Sequence, residues 1–279
     1  MRSRLFWYIS ISLIVLIFIF TFELTGRRGE RISFLDVGQG DAILLTSDTG
    51  RHLLIDAGPT RQVLGPLARE LGFFTRRLDI ILTTHDDADH IGGMPSVLSK
   101  YAVGSAILND SLASTTLETT LMRLTSHLTS TTSLQSGDTI TLSDTMKATV
   151  LYPLRQIPES ETNASSYVLK ITFGSDCAIL TGDAPESIEN FLVDMYKEEL
   201  QCPLLKAGHH GSRTSTSERF LKAVNPSWVV ISAGKNNSYG HPHREVVDRV
   251  TSHKATLLET SKLGTIRFFI REGKLVLDK

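Results

Sequence analysis

Apolar and polar positions divide the chain into two unequal parts. Residues 5–22, from Leu5 to Phe22, form an apolar run of 18 residues interrupted only by Ser10, Ser12 and Thr21, with Arg2 and Arg4 before it and Arg27, Arg28 and Arg31 after it. That length is just enough to cross a bilayer. The residues that follow lack the small-residue cleavage pattern of a signal peptide, so residues 1–29 are expected to be an uncleaved single-pass anchor. Arginines on both flanks leave the positive-inside count nearly balanced.

From residue 30 the pattern changes to short apolar runs punctuated by Gly, Pro, Asn and Asp. Residues 31–37, 41–46 and 52–56 read as three strands, 62–71 as a helix and 80–83 as a strand. Residues 94–100 read as a helix, 106–108 as a strand and 112–128 as a Thr/Ser-rich helix. Residues 147–152, 166–173 and 178–181 supply strands of a second sheet and 185–197 a helix, after which strand and helix are expected to alternate to Leu277. Residues 153–162 read as a connecting loop. Helices thus lie outside two facing sheets, an α/β chain of αβ/βα sandwich type. One domain over residues 30–279 accounts for the pattern, and no internal repeat divides it.

The polar positions carry the chemistry. Directly after the apolar run ending at Leu82, six consecutive positions, His85-Asp86-Asp87-Ala88-Asp89-His90, hold two imidazoles and three carboxylates. Imidazole nitrogen and carboxylate oxygen together suit Zn²⁺ or Mn²⁺, and a loop leaving a strand aims such residues at one point. A solvated acidic turn is the plain alternative. A calcium loop of the EF-hand kind fails, because Leu98 stands where the twelfth-position Glu belongs counted from Asp87. Three further apolar runs end in similar residues: Gly182-Asp183, His209-His210, and the segment containing His241 and His243. Strand ends on one edge are where α/β folds assemble their sites. Of the nine histidines, His52, His127 and His253 lie outside these loops and read as surface or packing residues.

Composition narrows the reading. A net charge of −1 excludes a generally basic nucleic-acid coat, so any contact with nucleic acid is local. Cys177 and Cys202 are too few for a disulfide framework and read as core residues at the starts of buried strands. Asp36 to Asp41 joins two strands through Gly38 and Gly40 and reads as a hairpin capped by its own side chains, with Gln39 within reach of a substrate.

Taken in order, Phe34 to Ala42, Leu54 to Gly58, Thr84 to Gly93, Leu180 to Asp183, Lys206 to Ser212 and Tyr239 to His243 resemble the blocks of the metallo-β-lactamase superfamily, specifically its ComEC-type competence branch. The resemblance implies a four-layer αβ/βα sandwich (the metallo-β-lactamase fold) behind the transmembrane helix, and a two-metal hydrolase. His85 and Asp87 are implied for one ion and Asp89 and His90 for the other, with Asp183 between them and either His209 or His210 completing the second position. Asp87 stands where the superfamily's second histidine usually stands. The superfamily's middle histidine has no counterpart near residues 163–167, leaving Asn163, Ser166 or substrate phosphate to furnish the first position. Oxygen in place of nitrogen tilts the preference toward Mn²⁺.

Two divalent ions suit in-line displacement at phosphorus. Phosphodiester hydrolysis is the natural reaction, with Asp89 orienting the water, His241 or His243 contacting the phosphate or protonating the leaving group, and Lys206 neutralising phosphate charge. Arg213, Lys235 and Arg244 lie in the same loops and could extend a phosphate track. The branch implies an extracytoplasmic, membrane-anchored nuclease acting on DNA during uptake and served by a separate polytopic channel protein. A phosphodiesterase for phosphorylcholine or another small or lipid-linked phosphodiester is the alternative. A docking module with a degenerate site is disfavoured by retention of the histidines and carboxylates.

Overall fold

The computed structural model describes residues 7–8, 10–14, 29–72, 74–109, 116–128, 133–154 and 162–278. Most of the expected membrane anchor lies outside the described residues, and no helix among those described is long and apolar enough to cross a membrane.

The strands lie in two seven-stranded sheets. The first contains β1 (Arg31–Phe34), β2 (Ile43–Thr46), β3 (His52–Ile55), β4 (Arg77–Leu82) and β5 (Ala102–Ile107). The second contains β6 (Thr139–Thr141), β7 (Met146–Tyr152), β8 (Val168–Phe173), β9 (Asp176–Leu180), β10 (Leu204–Lys206), β11 (Trp228–Ile231) and β12 (Thr256–Glu259). β13 (Ile266–Arg271) and β14 (Lys274–Leu277) return to the first sheet, where β13 pairs antiparallel with β1. The chain therefore ends in a hairpin, not in the continued strand-helix alternation expected. The short edge strand β6 was also missed, because three residues with one buried position carry too little pattern.

Alternation within strands sorts side chains into layers. Ile43 and Leu45 of β2 face the other sheet, in one cluster with Ile171, Leu180 and Phe268. Leu44 and Leu54 point the opposite way, onto Leu67 of α1 (Leu64–Leu71), Met94 of α3 (Met94–Lys100) and Leu121 of α4 (Thr116–Thr125), with the short α2 (Ala88–Ile91) lying between α1 and α3 in sequence. On the far side of the second sheet, Ile179 and Leu205 pack with Leu192 of α5 (Glu186–Tyr196), Phe220 of α6 (Glu218–Val224) and Val246 of α7 (Arg244–Ser252). Three apolar interfaces separate four layers, the sandwich expected.

The strands β9, β10, β11 and β12 run parallel, as do β3, β4 and β5. Parallel strands bring their C-terminal ends to one edge, and every chemistry-bearing loop leaves from such an end. Parallel pairing also sets Cys177 of β9 beside Cys202, just ahead of β10, where they form a disulfide with Cα atoms 5.1 Å apart. The reading of both as plain core residues is corrected by this bond. Sequence spacing could not reveal it, because the contact depends on β9 and β10 being neighbours.

Candidate metal centre

The loop after β4 is held from below. The Thr84 N–H and Oγ1–H donate to the two carboxylate oxygens of Asp56 at 2.8 and 2.7 Å, and His90 Nδ1–H donates to Asp56 Oδ2 at 2.8 Å. Since Thr84 spends its proton on Asp56, its oxygen accepts from His85 Nδ1 at 3.0 Å. His210 Nδ1–H donates to the Ser232 carbonyl at 2.9 Å. All three rings are thereby turned with Nε2 toward one space, the arrangement by which outer partners fix metal-binding histidines.

That space contains two groups of donors. His90 Nε2 lies 3.2 Å from His210 Nε2 and 3.3 Å from Asp183 Oδ1, and His210 Nε2 lies 3.2 Å from Asp89 Oδ2 and 3.3 Å from Asp183 Oδ2. Ligands about 2.0–2.1 Å from a tetrahedral ion stand about 3.3 Å from each other, so these donors fit a divalent cation. In the second group, His85 Nε2 lies 3.6 Å from Asp87 Oδ2 and 4.0 Å from Asp183 Oδ2. His85 Nε2 and Asp183 Oδ1 are buried without hydrogen-bond partners, a costly state that a cation relieves. Asn163 Oδ1 is likewise buried without a partner, whereas Ser166 Oγ accepts from the Asp183 N–H at 3.2 Å.

The histidine pair divides its roles. His210 is buried and meets Asp89, His90 and Asp183, whereas His209, with its side chain 28% exposed, has Nε2 3.7 Å from Asp183 Oδ2 and Nδ1 3.3 Å from Thr214 Oγ1. Both residues have positive φ, 47° and 54°, backbone strain of the kind that concentrates at functional sites.

Asp41 and Lys206 depart from expectation. Asp41, read as part of a self-capped hairpin, is buried, with Oδ2 2.5 Å from Lys206 Nζ and Oδ1 3.5 Å from His210 Nδ1. Gly40, at φ 113°, admits this approach, because a Cβ there would stand 2.0 Å from the Asp89 carbonyl oxygen. Lys206 was expected to face phosphate; instead it is fully buried behind the centre, donating to the Gly182 carbonyl at 3.0 Å. Asp41, His90, Asp183 and His210 offer ligand atoms within 4.8 Å of one another. Asp41, however, lies on the Nδ1 side of His210 and is neutralised by Lys206, while Asp89 faces Nε2. Gln39 is engaged as well, its Oε1 accepting from the Gly234 N–H at 3.2 Å.

Electrostatics agree with a cation at this centre. Burial opposes ionisation of Asp183, but His210 and His90 outweigh it and hold the carboxyl well below its ordinary range. Burial likewise opposes a charge on His90, yet Asp183 and Asp56 push its pKa up to about 10. Without metal, protons on His90 and His210 thus occupy the place of positive charge. His241 differs: burial, reinforced by His210, His209 and His243, lowers it to about 4, so it is neutral at working pH. Its ring centroid lies 5.6 Å from that of His209 and 4.9 Å from that of His243. His243 Nδ1 accepts from the Arg213 N–H at 3.1 Å, which ties it to the neighbouring loop.

Asp41 and Asp56 are the residues touching this cluster that residue type alone did not single out. Their signal was placement: each is an acid at the edge of a buried apolar strand on the side where the histidine loops emerge.

Residues 35–123 match the model of the metallo-beta-lactamase superfamily. Over those residues the chain is similar to that superfamily. It is 30% identical to ComE operon protein 3 of Bacillus subtilis over 91% of this chain and 34% of that protein, and 30% identical to competence protein ComA of Neisseria gonorrhoeae over 90% of this chain and 34% of that one. The ComEC-type resemblance read from the motifs therefore holds, although the chain spans about a third of the length of these relatives. The metallo-β-lactamase fold protein YhfI of Bacillus subtilis superposes with a TM-score of 0.55 at 14% identity, covering 89% of this chain and all of that one, which shows the shared fold.

Proposed function

We propose that the domain is a two-metal phosphodiesterase, and that its substrate is DNA met outside the cytoplasm during uptake. The observation that carries the reading is the position of Asp183, whose carboxylate lies between the His90–His210–Asp89 donors and the His85–Asp87 donors. Asp89, His90, His210 and Asp183 would hold one ion, and His85, Asp87 and Asp183 the other. Bound divalent ions supply Lewis acidity and an activated water at neutral pH. The protein's own groups would do the rest: Asp89 would orient a water and take up its proton, and His241, whose ring centroid lies 6.4 Å from that of His210, would contact the phosphate by hydrogen bond. Lys206 and Asp41 position Asp183 and His210 from behind.

Competence relatives favour DNA as substrate, and the apolar residues 5–22 favour a membrane anchor, with a separate polytopic channel protein as partner. The Cys177–Cys202 disulfide supports an extracytoplasmic catalytic domain, since such bonds persist in oxidising compartments. The test is incubation of the full chain in detergent with single- and double-stranded DNA and Mn²⁺, Mg²⁺ or Zn²⁺, beside Asp89→Ala. DNA cleavage lost in the variant is the expected result. Turnover of a phosphorylcholine ester with no cleavage of DNA by any metal form overturns the nuclease reading in favour of the small-substrate one. Equal activity of Asp89→Ala overturns the ligand assignment.

A further inference from the structure

Beyond the metal ligands, the loop between β11 and α7 presents Tyr239 with 63% of its surface exposed. The loop is not a loose one. Asn237 braces it from within: Nδ2 donates to the carbonyls of Gly234 and His241, and Oδ1 accepts from the N–H groups of Tyr239 and His241. The Tyr239 ring lies nearly parallel to that of His241, tilted by 22° with centroids 5.7 Å apart. The His241 ring lies 6.4 Å from that of His210 at the centre. A line of rings thus leads from the candidate metal centre to solvent and ends in an aromatic surface fixed in place.

Cations lie in the same loop and in the one it touches. Lys235 starts the loop, Arg244 follows His243, and Arg213 sits against His243 through its backbone; all three are exposed. Arg244 shares its charge with Asp248, 3.5 Å away. Single-stranded nucleic acids are held by this combination of positive charge along the backbone and aromatic rings under the bases. A paired base inside a duplex presents no free face to such a ring.

Resting on the phosphodiesterase reading above, we infer that Tyr239 is a stacking platform for an unpaired base flanking the scissile phosphate, so that the site selects single-stranded nucleic acid. A surface used only for packing would not be left this open, and the Asn237 bonds fix the loop that carries it, one of them through the Tyr239 N–H itself. The pre-organised ring loses little freedom when a base settles on it.

The test compares two fluorescent oligomers of equal length, oligodeoxythymidylate and its abasic counterpart, which carries the same phosphates without bases. Binding is read by anisotropy with the full chain in detergent and no divalent metal, so it does not depend on cleavage. The parent is expected to bind the base-bearing oligomer about 5- to 150-fold more tightly than the abasic one. Tyr239→Ala is expected to erase that preference, and Tyr239→Phe and Tyr239→Trp to keep it, which a purely structural tyrosine hydroxyl would not allow. Equal binding of the two oligomers by the parent, or a preference unchanged in Tyr239→Ala, overturns the inference. Base-dependent binding through Tyr239 without cleavage in any metal would leave the inference standing and overturn the nuclease reading; cleavage without base dependence would do the reverse.

Discussion

The two halves of the metal centre share Asp183 and are otherwise built differently. In the half formed by Asp89, His90 and His210, donors stand 3.2–3.3 Å apart around largely buried groups. In the half formed by His85 and Asp87 the spacings are 3.6 and 4.0 Å, and the Asp87 side chain is 37% exposed. Imidazoles anchored by Asp56 and Ser232 make the first half rigid before any ion arrives, whereas the second has one anchored ring and one exposed carboxylate. On the two-metal proposal, the difference assigns a resident ion to the first half and an exchangeable one to the second, which is suited to completion by substrate oxygens.

The largest effect that could break this comparison is expected from His210→Ala. It removes the donor on which three of the four short spacings converge, so affinity for the resident ion should fall by more than about 100-fold, beyond the range for losing an outer partner. Metal content after dialysis, measured by mass spectrometry alongside hydrolysis, checks it. Retention of one tightly held ion per chain would assign residency to the other half.

Next comes Asp56→Ala. Asp56 receives His90 directly and His85 through Thr84, so its loss should weaken both halves, the resident ion by about 10- to 100-fold. Thr84→Val keeps the His90 contact and cuts the relay to His85, and should lower affinity at the exchangeable half alone. Calorimetric titration with Mn²⁺ distinguishes the two patterns.

Proton linkage gives an effect of about tenfold per pH unit for each proton displaced. In the metal-free chain His90 is protonated up to about pH 10, and an ion binds only the neutral ring. Loading therefore ejects protons, and affinity should rise with pH from 6 to 9. Stability of the metal-free chain runs the other way: the raised folded pKa contributes stability fully present below the unfolded value of 6.5 and lost as pH rises through about 10. Melting of the metal-free chain should fall between pH 7 and 10, and that of the metal-loaded chain should not. Parallel curves for both forms would show that His90 does not exchange a proton for the ion.

Much of this centre was legible in the sequence because its donors sit where apolar runs stop. The run ending at Leu82 announced His85 to His90, and the run ending at Leu180 announced Asp183, since period and punctuation are local properties of a chain. The choice between His209 and His210 was not legible, because it depends on two successive left-handed backbone turns that adjacent histidines do not encode. The burial of Lys206 was hidden for a related reason: a lysine at a strand end reads as exposed until Asp41, 165 positions earlier, is brought 2.5 Å from its ammonium by sheet packing. The disulfide depended on strand order in the same way. Local signals specify which residues carry chemistry, and tertiary neighbours specify which way they face.

The smallest expected effect sharpens the comparison most directly. Asp87→His puts nitrogen where the exchangeable half has an exposed oxygen donor, the one position at which the loop departs from the superfamily's pattern. Nitrogen favours Zn²⁺ over Mn²⁺, and the loop already places residue 87 within 3.6 Å of His85 Nε2. The variant should gain up to about tenfold in Zn²⁺ affinity at that half, a change no greater than that from one outer partner, with the resident ion unaffected. It should also lose part of its Mn²⁺-supported turnover, because a firmly held second ion exchanges its ligands less readily for substrate oxygens. Zinc titration followed by turnover at saturating metal separates the two effects. An unchanged second affinity would place the weakness of this half in the want of a fourth donor beside His85, Asp87 and Asp183 and not in Asp87.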